Sequence, residues 1–363
     1  MPFSLTMAGM TDVLRVEPTR PDRDAIATAA SCLRGGGLVA FPTETVYGLG
    51  AHALDRAAVQ RLFTAKGRPA NDPVIVHIDS IDRLAPLVAA VPDAAHTLAA
   101  QFWPGPLTLV MKRSPQVPDD VTAGLETVAV RVPAHPVAAA LLVAAGIPIA
   151  APSANLFSRP SPTQAAHVLE DLHGRIDLIL DGGPTLVGIE STVLDLSREQ
   201  PTILRPGATT IEMLREVIPD VIMRSGDQPE GAAMPSPGLL PKHYSPRAPL
   251  TLYEGEPTTA LQRLVSDATD ALKRGQLVGI IAAEEDWHTI EAIGPATLQL
   301  IEVRYLGSEH DLPAIASRLY TAMRDLDTAG VAQIFARSFS TDEGLGVAIQ
   351  DRLRRAAAGR VVH

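Results

Sequence analysis

Short apolar runs alternate along the chain with longer stretches of helical period. GLVAF (37–41) predicts a buried strand, and DRAAVQRLFTAKG (55–67) an amphipathic helix stopped at Gly67. PVIVHI (73–78) reads as a strand, and the mostly apolar stretch after it as a helix across about 80–102. LTLVMK (107–112) and TVAVRV (127–132) predict further strands, HPVAAALLVAAG (135–146) a helix closed by Gly146, and IPIAAP (147–152) a short buried strand. In SPTQAAHVLEDLHG (161–174), Ser161 precedes Pro162 as a cap precedes the first turn of a helix. DLILD (177–181), STVLDLS (191–197) and TILRP (202–206) add strands, and TIEMLREVI (210–218) a closing helix. The mixture predicts an α/β fold: a twisted mixed sheet with helices on its faces.

The pattern breaks at residue 223. Between 223 and 249 six prolines (229, 235, 237, 241, 246 and 249) exclude helix and central strand, which predicts a stiff linker. Beyond it LTLY (250–253), a helix over 258–273, LVGIIAA (277–283) and a short helix near 287–293 follow in turn. LQLIEVRYL (298–306), a helix over 311–329, VAQIFARSF (331–339) and a last helix over 344–358 complete the chain. This β-α repetition predicts a small, mostly parallel, doubly wound Rossmann-like domain. Three segments result: 1–222, a linker 223–249, and 250–363. The last carries no glycine-rich phosphate fingerprint and no catalytic cluster.

Composition narrows the partners. The 363 residues are 46% hydrophobic and 20% charged, as in a soluble globular protein. No apolar run approaches the ~20 residues of a membrane span. The N-terminus lacks a basic segment followed by an apolar one, so no secretory signal or membrane partner is expected and the cytoplasm is the expected compartment. A single cysteine, Cys32, excludes a disulfide framework and a cysteine-based zinc site. The formal charge is −10, spread as −6 over 1–222 and −4 over 223–363, which argues against a stable nucleic-acid complex. Only four of the 31 basic residues are lysines (66, 112, 242 and 273), and in a chain that so prefers arginine each is a hint of a place for a compact ammonium, no more.

There is no G-x-x-x-x-G-K-[ST] loop, no G-x-S-x-G elbow and no H-E-x-x-H. Gly35–Gly37 precedes a strand and reads as the end of a helix. The chemistry resides in polar residues beside strands. PTETVYGLG (42–50) sets Thr43, Glu44, Thr45 and Tyr47 beyond the end of GLVAF, either as a ligand loop or as a tight turn with satisfied hydroxyls. Lys66 and Arg68 could clasp a polyphosphate or complement a helix terminus. His77 ends a strand. Arg131, inside an apolar strand, requires an anionic partner, which a ligand or an acidic side chain could supply. Ser153, Asn155, Ser158, Arg159 and Ser161 crowd one short stretch, and Ser191 and Arg205 flank later strands. A cationic pocket of Lys66, Arg68, Arg131 and Arg205 in an acidic protein suits an anionic small ligand such as a nucleotide.

PTETVYGLG, K-x-R, the S-x-N of PSAN, DGG, G-x-E-S-T and LRPG, in this order, resemble the YrdC-like family. With KHYSP and a second α/β domain, the chain is similar to that family's two-domain threonylcarbamoyl-AMP synthases. The resemblance implies an enzyme that makes L-threonylcarbamoyl-adenylate and pyrophosphate from L-threonine, bicarbonate or CO2, and ATP with Mg2+. Other proteins then transfer the threonylcarbamoyl group to tRNA. It implies that Thr45, His77, Arg131, Ala151 (through its backbone) and Ser191 surround threonine. Lys66, Arg68, Asp72, Thr127, Ser153, Asn155, Ser161, Arg205 and Tyr244 would surround ATP, with Lys66, Arg68, Ser153 and Asn155 acting on the reacting phosphate. The linker, with Tyr244, would fold over the occupied pocket; no metal is held by the protein alone. GLLPKHYSP departs from the family by lacking an aromatic or basic residue just before KHY. Alternatives from other classes are an RNA-binding or regulatory module, or another carbamoyl-adenylate-forming enzyme; the companion cysteine motifs of the last cannot come from one cysteine.

Overall fold

A computed structural model describes residues 10–224, 234, 236, 238, 243–339 and 343–363, with the side chain of Ala296 left out. The chain forms two compact units. The first runs to Leu239 apart from Ser158–Pro160 and Val187–Ile189; the second holds those two segments together with Leu240–His363. Among the described residues no helix is long and apolar enough to cross a membrane.

The first unit begins with β1 (Asp12–Arg15), α1 (Arg23–Arg34), β2 (Val39–Pro42), β3 (Tyr47–His52), α2 (Arg56–Lys66) and β4 (Ile75–His77). It continues through α3 (Asp93–Phe102), β5 (Leu107–Lys112), α4 (Asp119–Thr122), β6 (Thr127–Arg131), α5 (Pro136–Ala145) and β7 (Ile149–Ala150). It closes with α6 (Ala165–Leu172), β8 (Leu178–Asp181), β9 (Thr192–Asp195), β10 (Thr202–Arg205), α7 (Ile211–Val217) and β11 (Ile222–Met223). The strands form one mixed sheet ordered β1-β8-β2-β3-β7-β4-β6-β5-β9-β10-β11.

Local chemistry sets the helix ends. The Asp55 carboxylate accepts from the first turn of α2, and Gly67 ends that helix at φ +63°, where a side chain would be strained. His135 caps α5 and Gly146 ends it at φ +65°. Three expectations are corrected. The stretch 80–102 is a single 3-10 turn at Ile81–Arg83 and then α3, because Pro92 caps α3 and keeps the helix from extending back. Ser161 and Pro162 do not start α6, whose cap is Gln164; the Ser161 hydroxyl instead donates to Glu190 Oε1 at 2.5 Å. Tyr47 is not in a loop but opens β3, antiparallel to β2, with only Thr43–Val46 as the turn between them.

The two faces of the sheet differ. On one, Val74, Val76, Leu107, Leu109, Met111, Val128, Val130, Leu194 and Ile203 join a large core with Ala95 and Leu98 of α3 and Leu214 of α7. On the other, over β4, β6, β5, β9 and β10, the buried apolar cluster is small: Ile75, Val110, Ala129, Val193 and Leu204; next to it Ile149, which registers with His77, belongs to a large cluster with α1 and α5. Side chains alternate along a strand, so the residues in step with this small cluster share its face.

The second unit contains β12 (Leu250–Tyr253), α8 (Pro257–Lys273), β13 (Val278–Ala282), α9 (Trp287–Glu291), α10 (Pro295–Leu298) and β14 (Ile301–Tyr305). After these come α11 (Leu312–Thr328), β15 (Gln333–Arg337), α12 (Gly344–Ala357) and β16 (Val361–Val362). Its sheet, ordered β14-β13-β15-β12-β16, is parallel throughout, as the β-α repetition predicts. Gly279 sits in β13 where a Cβ would lie 3.0 Å from the Leu326 methyls, so α11 packs directly against backbone there.

Candidate active site

Several of the polar residues singled out in the sequence lie on the lightly covered part of the first sheet's face. Thr127, Ala129 and Arg131 alternate along β6; across it, Ile75 and His77 of β4 register with Ala129 and Arg131, and Val110 of β5 with Ala129. Thr108 of β5 registers with Val193 of β9, and Arg205 of β10 also opposes Val193, after a register shift. The site therefore spreads over the sheet face as well as beyond its strand ends, where open-sheet logic placed it.

Arg131 is 3% exposed and is held from three sides. Its Nε donates to the carbonyl of Gly105 at 3.1 Å and its Nη1 to the Thr45 hydroxyl at 3.0 Å. Its Nη2 lies 2.6 Å from Glu44 Oε1. The anionic partner that burial demands is thus supplied from the chain, by the loop after β2. The Thr45 hydroxyl also meets that of Thr43 at 2.8 Å, so three consecutive residues of PTETV organise one guanidinium.

Beside it, burial and then the Arg131 charge push the His77 imidazole down to about 3 from its ordinary 6.5, and it is neutral at physiological pH. The sign of the consequence is fixed. Above pH 6.5 folded and unfolded chains both hold a neutral ring; as pH falls below 6.5 only the unfolded chain takes up the proton. Between pH 7.5 and 5 this should lower stability by about 2 kcal/mol. Urea titrations at the two pH values check it: His77→Gln should lose that part of the pH dependence.

A second group surrounds Asp72. Its carboxylate pairs with Arg68 at 2.9 Å, both side chains being almost fully buried, while the charges of Lys66 and Arg205 also bear on it. Burial raises the Asp72 carboxyl and these three cations oppose the rise. Arg68 also donates to the carbonyls of Asp72 and Pro73, at 3.0 and 2.7 Å. Lys66, the last residue of α2, sends its ammonium to the carbonyl oxygens of Ser153 and Asn155, the latter at 2.6 Å. That ties K-x-R to S-x-N. Ser153 is further fixed by a bridge to Gly48 of β3, and the Ala151 amide donates to the Ile75 carbonyl at 2.9 Å.

Ser191 sits between Thr108 and Arg205. Its hydroxyl lies 2.8 Å from that of Thr108 and accepts from Arg205 Nη2 at 3.2 Å, and Arg205 Nε donates to its carbonyl. The glycine of LRPG has a steric reason: a Cβ on Gly207 would lie 2.4 Å from the Thr192 nitrogen and 2.6 Å from the Glu190 oxygen.

Three of the residues singled out in the sequence lie in the second unit. Ser158 and Arg159 belong to the second unit, where Arg159 lies 3.8 Å from Asp327. Tyr244 is also in the second unit, buried at φ +58°, its ring 5.3 Å from the Arg352 guanidinium and 5.5 Å from Tyr320. Lys242 and most of 225–242 lie outside the described residues. Sequence reasoning passed over Thr108, whose hydroxyl is set in an apolar strand, and gave no role to Glu190, the acid of the G-x-E-S-T segment. In the second unit it also missed a buried charge cluster at the strand ends, where Arg337 pairs with Asp286 at 2.8 Å and Glu309 at 2.7 Å.

Comparison with known proteins places this arrangement. Residues 31–207 match the Sua5/YciO/YrdC family model, described as telomere recombination, and residues 209–358 match the threonylcarbamoyl-AMP synthase C-terminal domain. The threonylcarbamoyl-AMP synthase of Bacillus subtilis is 45% identical over 93% of this chain and 94% of its own length. The chain belongs to the threonylcarbamoyl-AMP synthase family. The synthase of Pyrococcus abyssi is 43% identical over 97% of the chain. The crystal structure of P. abyssi Sua5 complexed with L-threonine matches at a TM-score of 0.88 and 41% identity, covering 97% of this chain and all of that one. Both units of the present chain therefore have counterparts in a threonylcarbamoyl-AMP synthase of the same two-domain length.

Proposed function

We propose that the chain condenses L-threonine, bicarbonate or CO2, and ATP into L-threonylcarbamoyl-AMP with release of pyrophosphate, the first step of threonylcarbamoyladenosine formation in tRNA. The observation that carries this reading is the contact of Ser191 with Arg205, which joins the residues assigned to threonine to the cations assigned to ATP. Residues 1–222 would carry the chemistry, with 223–249 connecting them to the segment 250–363.

Thr45, His77, Arg131, Ser191 and the backbone of Ala151 would orient threonine, Arg131 through its remaining N–H bonds to the carboxylate. A neutral His77 takes no part as a charge and can offer or accept a hydrogen bond. Lys66, Arg68 and Arg205 would hold the triphosphate, with Thr127, Ser153, Asn155 and Ser161 around the nucleotide. The threonine nitrogen captures CO2 as a carbamate, and a carbamate oxygen attacks the α-phosphorus as pyrophosphate leaves. Lys66, Arg68, Ser153 and Asn155 would fix this geometry and stabilise the charge on the transferring phosphoryl group, so no covalent nucleophile is required.

Among the described residues no three His, Cys, Asp or Glu side chains converge on a common cation position. Asp72 Oδ1, buried without a hydrogen-bond partner among the described residues, is the oxygen that would hold a Mg2+ ion arriving on the phosphates. The ion would neutralise phosphate charge.

The test is pyrophosphate release by the purified chain with each of ATP, Mg2+, L-threonine and bicarbonate omitted in turn, and mass spectrometry for the adenylate. Release requiring all four, with the adduct present, is the expected result. Release without threonine would indicate another acceptor, and ATP binding without release a regulatory or RNA-binding module.

A further inference from the structure

Glu44 has no part in the steps above, yet it is 7% exposed and in direct contact with Arg131. Its Oε1 faces Nη2 of that guanidinium, while its Oε2 is buried with no hydrogen-bond partner among the described residues. The Gly105 carbonyl, the Thr45 hydroxyl and Glu44 occupy three directions around Arg131. A guanidinium has five N–H bonds, so donors remain beside a carboxylate oxygen that lacks one. His135, the other titratable neighbour of Glu44, is kept towards its neutral form by burial. The pair thus presents a cation and an anion side by side, with no net charge between them.

A buried carboxylate oxygen without a donor is costly, and the ligand that satisfies both halves of such a pair carries a carboxylate and an ammonium on one carbon. A plain hydroxy acid offers only the anion, which Glu44 repels. We propose that Glu44 is a specificity-determining residue: it holds Arg131 in place and makes the subsite select a zwitterionic α-amino acid over the corresponding deaminated acid. This rests on the threonine reading given above.

Calorimetric titration of the full chain with L-threonine and with 3-hydroxybutyrate, the same molecule without its amino group, tests it. The wild-type protein should bind threonine and discriminate against 3-hydroxybutyrate by ~100-fold or more. Glu44→Gln should weaken threonine binding by ~10–100-fold, the range of one charge-assisted hydrogen bond. The same variant should bind 3-hydroxybutyrate more tightly, because Arg131 loses its internal competitor. Opposite signs for the two ligands are the signature. Equal losses for both, or no change in either, would overturn the proposal. If Glu44→Gln does not fold by thermal unfolding, Glu44→Asp decides: it keeps the charge and should keep the discrimination, and losing it would count against the idea. Wild-type protein that binds no threonine would overturn the threonine reading itself.

Discussion

Replacing Arg131 with alanine should raise the threonine concentration needed for pyrophosphate release by about 100-fold, and that for ATP by less than about threefold. The asymmetry follows from the site: Arg131 lies with Thr45 and Glu44, whereas the cations assigned to the triphosphate cluster around Asp72. A charge-assisted hydrogen bond to the threonine carboxylate is worth ~1.5–3 kcal/mol, and more than one such bond is available. The substitution also strands Glu44, and breaking a buried pair from one side costs about 3–5 kcal/mol of stability. Arg131→Met combined with Glu44→Gln separates the effects. It should restore most of the stability in denaturant titration without restoring threonine use. Equal changes in the two substrate requirements would show that Arg131 does not belong to the threonine subsite.

Lys66→Met should lower the turnover number by about 100- to 1000-fold, the range seen when one preorganised donor to a developing charge is removed. Its ammonium now binds the Ser153 and Asn155 carbonyls, so its loss removes a charge from the phosphate group and loosens the S-x-N turn together. Lys66→Arg should rescue poorly, since a planar guanidinium cannot fill a site built for a compact ammonium. Steady-state assays at saturating ATP and threonine check this. A normal turnover number with only a weaker ATP requirement would make Lys66 a binding residue alone.

Much of this was legible in the chain, for identifiable reasons. LTLVMK and LTLY match β5 and β12 residue for residue because each is a tight apolar run bounded by charge or proline. Gly67 and Gly146 mark helix ends because both adopt the left-handed backbone that helix termini require. Arg131 announced its need for an anion through its apolar neighbours, but the partner is 87 residues earlier in the chain and no local pattern encodes such a distance. Tyr47–His52 was missed as a strand because YGLGAH carries two glycines; these fit since Gly50 lies against Phe41 and Ile149, where a Cβ would meet side chains at 2.9 Å. Strand ends were read as the site's location because alternation alone does not tell which face of a sheet stays lightly packed. That became visible only once register aligned Thr127, Arg131, His77 and Thr108.

The pairing of β8 has a consequence for how the chain is made. β1 and β2 lie on either side of β8, and the hydrogen bond from Thr11 to the Ile176 carbonyl spans 165 residues. A nascent chain therefore completes β1, α1 and β2 long before the strand that joins them leaves the ribosome, and loop closure over that distance is slow. Until then two strand edges stay open to other chains. Synthesis of residues 178–181 is the event that closes this end of the sheet, and arrest before it should leave a fragment that needs chaperone protection.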